Sequence, residues 1–230
     1  MDNKKDQIIK LLKECSKEQK QAIFNELRKE ISIHPIEQKL NIQAELILEA
    51  INKDEQGLTL RMMRGVIAEA AFDIEVVSTL EDWSNDTPDG DLPFDFLLSD
   101  GVGSVKIQVK LQRSKDLKPM LAKEGYRRFS DDQFAVETQK TRGGKDAKGN
   151  DTRPYGFNEF DIIAVCMQPS CGDWSTFYYS LSRWLIPRED DTSKMLKFQP
   201  VAMKPNEFWT DNFEVAVKWL RSDVQKVIPS

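Results

Sequence analysis

The 230-residue sequence predicts an α/β (α+β) fold, a helical N-terminal part followed by a sheet flanked by helices. Three observations carry the prediction. Apolar residues in the first third recur at helical spacing. From about residue 94 onward, short runs of β-prone residues are interleaved with helical ones, the pattern of a mixed core. Turn-forming clusters, Ser84–Gly90 and Ser99–Gly103, separate those runs. With 40% hydrophobic and 31% charged residues, the chain reads as one large globular domain or a domain with an added part.

Each element has a local reason. Ile8, Ile9, Leu11 and Leu12 give the first helix its apolar face. Ser16 with Gln19 is a capping box, in which each residue satisfies the other's backbone N–H; it opens a second helix carrying Ala22, Ile23, Leu27 and Ile31. Pro35 starts the next, and Leu40, Ile42, Ala44, Leu46, Ile47 and Ile51 continue it until Gly57 breaks the run. The helical part is therefore assigned to residues 1–57 and the core to 58–230. The core opens with a helix from Leu58 to Phe72, on Leu60, Met63, Val66, Ile67 and Ala70. Strands follow at Phe94–Leu98 and Ser104–Leu111, a helix at Leu117–Arg127, and a strand at Gln133–Thr138. After the Gly-rich loop Thr141–Thr152 come strands at Phe160–Met167 and Trp174–Leu181. A last helix spans Asn212–Arg221, with Asp211 and Glu214 spaced as its capping box. Trp174, Phe177, Tyr178, Tyr179 and Trp184 read as core or dimer contacts.

Several function classes fall away. The longest apolar run, Asp161–Met167, is far short of the ~20 residues that a membrane helix needs. No apolar stretch of a secretory signal follows Met1, and three cysteines fit a reducing cytoplasm better than a disulfide framework. Cys166 and Cys171 have no second pair or nearby histidine, so no zinc site is expected. His34 is the only histidine; it precedes Pro35 among helical segments, where a structural role is expected. Gly143-Gly144-Lys145 lacks the spacing of a phosphate-binding loop, so no nucleotide cofactor is expected.

One stretch carries chemistry. Asp91–Ser114 reads as a β-hairpin with Asp95 on its first strand and Gln108 and Lys110 on its second. Residues i and i+2 of a strand share a face, so Gln108 and Lys110 project together, and the hairpin can bring Asp95 beside them. A carboxylate can ligate Mg²⁺, which prefers oxygen ligands, and a lysine can orient water or stabilise charge on a phosphorane. Glu69, on the preceding helix, can hold a further water. The pattern equally fits an amphipathic strand whose polar face meets solvent; alternation does not separate the two readings.

Asp95, a spacer of 12 residues, then Gln108-Val109-Lys110 resembles the core of PD-(D/E)XK nucleases, in particular type II restriction endonucleases; Arg64–Glu69 is similar to their upstream helix with its glutamate. The resemblance implies a restriction-endonuclease-like central mixed β-sheet flanked by helices, within 58–230. It also implies Mg²⁺-dependent hydrolysis of double-stranded DNA that leaves 5′-phosphates, by a homodimer acting on a short palindrome. Carried over by position, Asp95 is a metal ligand, Gln108 takes the second ligand's place, Lys110 is the catalytic lysine and Glu69 matches the helical glutamate. Two departures stand out. Pro93 lies two residues before Asp95 rather than next to it, and the second acid is a neutral amide, which weakens Mg²⁺ binding and favours one well-held metal.

The charge distribution agrees with a DNA partner. The total is -5, but residues 101–155 hold 13 Lys/Arg against 7 Asp/Glu, a segment of +6 beside a remainder of -11. The basic stretch begins at the proposed active strand. Arg113, Lys115, Gln139, Lys140, Arg142, Lys145 and Arg153 are the expected DNA contacts, and Glu137–Arg142 carries the side chains used to read base edges. A non-specific or repair-type nuclease of the same core, and a non-catalytic DNA-binding protein, remain as alternatives.

Overall fold

The computed structural model describes residues 2–229 except 33, 55–56, 117, 141–142, 146–151 and 223. The chain divides into two compact units, Met1–Arg61 and Met62–Ser230.

The first unit is helical: α1 (Asp2–Glu14), α2 (Lys17–Leu27), α3 (Pro35–Leu40) and α4 (Ala44–Asn52). The Ser16–Gln19 capping box is formed, with Ser16 N–H donating to Gln19 Oε1 at 2.8 Å and Gln19 N–H to Ser16 Oγ at 3.3 Å. The single helix expected from Pro35 to Ile51 is two. Asn41 takes left-handed angles (φ 50°, ψ 47°) and ends α3, a conformation that asparagine tolerates better than most residues. His34 caps α3, its Nδ1 accepting from Ile36 N–H at 3.2 Å. Arg28 joins three helices. It donates to both Glu45 oxygens, at 2.9 and 2.7 Å, and pairs with buried Glu37.

α5 (Leu58–Glu75) leads into the second unit, which continues with β1 (Ser84–Asn85), β2 (Phe96–Ser99), β3 (Ser104–Leu111), β4 (Ser114–Lys115), β5 (Lys118–Pro119), α6 (Ala122–Gly125), β6 (Gln133–Glu137), β7 (Ile162–Cys166), α7 (Gln168–Cys171), β8 (Phe177–Leu181), β9 (Phe198–Ala202) and α8 (Phe213–Leu220). Its centre is a mixed five-stranded sheet in the order β1-β2-β3-β7-β8, flanked by helices; β3 and β7 are parallel and the other neighbours antiparallel. β6 and β9 form a separate antiparallel pair.

Three readings are corrected. The helix expected at Leu117–Arg127 is the β4–β5 hairpin plus the single turn α6; Leu117 itself lies outside the described residues. Pro119 has no N–H and holds Lys118 extended, while Asp116 supplies the left-handed turn at φ 51°. β9 was not anticipated because Pro200 interrupts it; in a two-stranded sheet a proline can face the open side. The cap of α8 is Asn212, whose Oδ1 accepts from Val215 N–H at 3.1 Å, not Asp211.

The core explains the sheet's order. β7 is buried along its whole length, as a strand covered on both faces must be. Phe72 of α5 is fully enclosed, its ring 5.2 Å from Phe96, 5.3 Å from Phe177 and 6.4 Å from Tyr179. Phe213 of α8 meets the same Tyr179 at 5.8 Å. α5 and α8 thus close one sheet face through a shared tyrosine. Of the β8 aromatics expected as core or dimer contacts, Phe177 and Tyr179 are core and Tyr178 is half-buried against it.

Candidate active site

The β2–β3 register runs from Phe96 opposite Ile107 to Ser99 opposite Ser104. The connecting turn is built by Asp100, whose Oδ1 accepts from Val102 N–H at 2.9 Å and Gly103 N–H at 3.0 Å. That register sets Asp95 across from Gln108, with Asp95 N–H donating to Ile107 O at 2.9 Å. Asp95 Oδ2 accepts from Val109 N–H at 2.7 Å and from the Gln108 side-chain amide. Lys110, two residues on, shares the Gln108 face, and the parallel pairing sets Ile163 and Val165 beside them. Lys110 Nζ lies 3.1 Å from the Tyr155 hydroxyl and 5.1 Å from the centre of its ring.

Glu69 enters from α5. It sits one helical turn before Phe72, so the packing of Phe72 on Phe96 brings Glu69 to the hairpin. Glu69 and Asp95 line one cavity of about 280 Å³, together with Asp91 and Phe94. The four residues singled out in the sequence therefore converge, and the solvated-strand reading gives way: Gln108 is 2% exposed.

Burial dominates the electrostatics. It pushes the Glu69 carboxyl up to about 7, aided by the negative charge of Asp95 and opposed by Lys110. Burial also raises Asp95, outweighing Lys110 and the hydrogen bonds from Val109 and Gln108. The Lys110 ammonium is held below its ordinary range, because desolvation exceeds the attraction of Asp95, Glu69 and Glu137. Tyr155 is driven upward, first by burial and then by the nearby carboxylates.

Oxygen donors gathered in one cavity are what a cation would need. The donors suit a hard one: the Glu69 carboxylate, the Asp95 carboxylate, whose Oδ1 accepts neither of the two bonds above, and Gln108 through Oε1. Among the described residues no group of three or more His, Cys, Asp or Glu side chains is placed to hold a metal. Glu69, Asp95 and Gln108 Oε1 alone would leave most of a Mg²⁺ ion's coordination to water.

The expected DNA contacts divide. Lys115 and Lys145 are exposed, as is Arg153, which donates to Lys140 O at 3.3 Å. Arg113 is half-buried and pairs with Glu137 at 3.5 Å; Lys197 approaches the other Glu137 oxygen at 3.6 Å. Lys140 pairs with Glu159 at 2.8 Å. Gln139 bridges to Pro154. Arg142 lies outside the described residues. Glu137, an expected base reader, and Lys140, an expected DNA contact, are thus held in ion pairs within the unit.

Sequence reasoning missed Tyr155 and Glu159. Both follow the polar loop, far along the chain from Lys110 and Lys140, so nothing local to those residues signals them. Asp161 accepts from Lys106 N–H at 2.8 Å and fastens β3 to the start of β7.

No family model matches the chain, and no curated protein matches it. Among solved structures, the chain is similar to that of a bacterial homing endonuclease, with 16% sequence identity over 66% of this chain and 80% of that one and a TM-score of 0.34. No helix among the described residues is long and apolar enough to cross a membrane.

Proposed function

We propose that this chain is a Mg²⁺-dependent endonuclease that hydrolyses phosphodiester bonds of double-stranded DNA and leaves 5′-phosphates. The reading rests on one observation: Asp95, Gln108 and Lys110 meet on one hairpin face, with Glu69 lining the same cavity as Asp95. Asp95, Glu69 and Gln108 Oε1 would hold the metal. When bound, Mg²⁺ supplies a Lewis acid and a water of lowered pKa. Lys110 is the group that orients the attacking water or meets charge building on the phosphorane. Gln108 and Val109 hold one Asp95 oxygen, which leaves the other for the metal.

The finer form of the proposal is a type II restriction endonuclease, a homodimer cutting a short palindrome. A second reading, a nuclease of the same core without sequence specificity, is favoured by the internal pairing of Glu137 and Lys140. A digest of a sequenced plasmid in Mg²⁺, with the ends mapped by run-off, separates the two. Discrete bands support the restriction type, a smear the non-specific one. An intact plasmid with every divalent metal tried defeats both.

A further inference from the structure

We propose that Tyr155 is the positioning residue for Lys110, holding the lysine in register with Asp95 through its hydroxyl and its ring. The proposal rests on Lys110 being the lysine of the nuclease site just described. Three observations carry it.

The first is that Lys110 is held from one side. Its Nζ is 3.1 Å from the Tyr155 hydroxyl and 5.1 Å from the ring centre. Asp95, Glu69 and Glu137 attract it by charge, yet among the described residues no carboxylate lies within ion-pair distance of Nζ. A lysine has four side-chain torsions, and ordering it costs about 2 kcal/mol of rotamer entropy. Diffuse charge fixes no direction, whereas a hydroxyl and a ring face do.

The second is that Tyr155 is itself anchored. It is 4% exposed. Phe160 packs edge-on against it, ring centres 5.3 Å apart at 84°. Its carbonyl accepts from Met195 N–H at 2.8 Å.

The third is that the ring carries a second cation. Lys140 Nζ lies 5.4 Å from the same ring centre and is paired with Glu159 at 2.8 Å. One ring therefore joins the strand of Lys110 to the segment Glu137–Arg142 that was expected to read DNA.

The test compares wild type, Tyr155→Phe and Tyr155→Leu as full chains. Single-turnover cleavage in Mg²⁺ is set beside DNA affinity in its absence. Tyr155→Phe keeps the ring and loses the hydroxyl; its rate is expected to fall about 10- to 100-fold, the scale of a 1 Å misplacement, with affinity and melting temperature unchanged. Tyr155→Leu is expected to fall further. A wild-type rate in Tyr155→Phe overturns the proposal. So does a rate that falls only in step with affinity and melting temperature, since that marks a structural role. If wild type cleaves no DNA with any divalent metal, the nuclease reading fails, and the contact is then decided by NMR. Lys110 side-chain methylene protons over the ring are shifted upfield in wild type and relax toward the free-lysine position in Tyr155→Leu. Free-lysine positions in wild type overturn the positioning role whether or not the protein cuts DNA.

Discussion

Gln108 donates its side-chain amide to the carboxylate oxygen of Asp95 that also accepts the Val109 N–H. A neutral donor thus stands where a second acid would have brought negative charge. Gln108→Glu replaces that donor with a like charge facing Asp95. Without metal the variant should lose about 1–3 kcal/mol, or roughly 2–10 °C in melting temperature. Mg²⁺ should restore more of that loss than it adds to wild type. Thermal melts in EDTA and in Mg²⁺ read the difference; equal metal responses would remove Gln108 from the metal's surroundings.

Lys110→Ala removes an ammonium whose charge bears on Asp95. Cleavage should fall by about 10²-fold or more, while metal-free DNA affinity changes little. Single-turnover rates and a binding titration check it, and retained cleavage would falsify the assignment of Lys110.

Glu69→Gln tests the cost of a buried acid. The folded-state value is about 7, above the usual ~4.3 of a free glutamate. Between those values the folded state binds more protons than the unfolded one, so stability falls as pH rises through that window. The amide has nothing to ionise. In metal-free protein, Glu69→Gln should therefore gain on wild type as pH goes from 4 to 8. A parallel pair of melting curves across that range would count against the burial of Glu69.

Asp100 shows the opposite sign. Arg221 donates to both of its oxygens, at 2.6 and 2.8 Å, and holds its carboxyl far below the usual range. A depressed carboxyl stabilises the fold above the ordinary aspartate value of ~3.9, and that contribution is lost as pH falls below it. Asp100→Asn should lower the melting temperature at pH 7, and the deficit should begin to shrink only as pH falls below ~3.9. The deficit should also shrink in high salt, since Asp100 and Arg221 lie near the surface.

Phe72→Ala opens the aromatic cluster between α5 and the sheet. Phe72 is fully buried against Phe96, Phe177 and Tyr179. The loss should be about 3–5 kcal/mol by urea denaturation, the range for deleting an enclosed phenylalanine. It should also weaken the metal response, because Glu69 lies one turn away on the same helix.

The hairpin was legible because its signals are local. Alternation placed β3 residue for residue and put Gln108 and Lys110 on one face, and the turn residues bounded it. The register that brings Asp95 opposite Gln108 depends on cross-strand bonds and core packing, which periodicity does not encode. Tyr155 was illegible because it comes from a segment 45 residues on from Lys110, with no local signal at the hairpin. β9 hid behind Pro200, and a hairpin hid behind helix-prone residues near Lys118, where Pro119 outweighed propensity. Basic composition marked Lys140 as a DNA contact, but composition does not reveal Glu159, which already engages it.

The parallel pairing of β3 with β7 also has a temporal consequence. Ile107 waits for Ile162, and Lys110 for Tyr155. A growing chain emerges from the ribosome with Asp95, Gln108 and Lys110 in sequence long before their counterparts exist. The hairpin can form early, but its chemistry is completed only when the later segment docks. In a nuclease of the proposed kind, the Lys110–Tyr155 contact would be the last part of the site to be made.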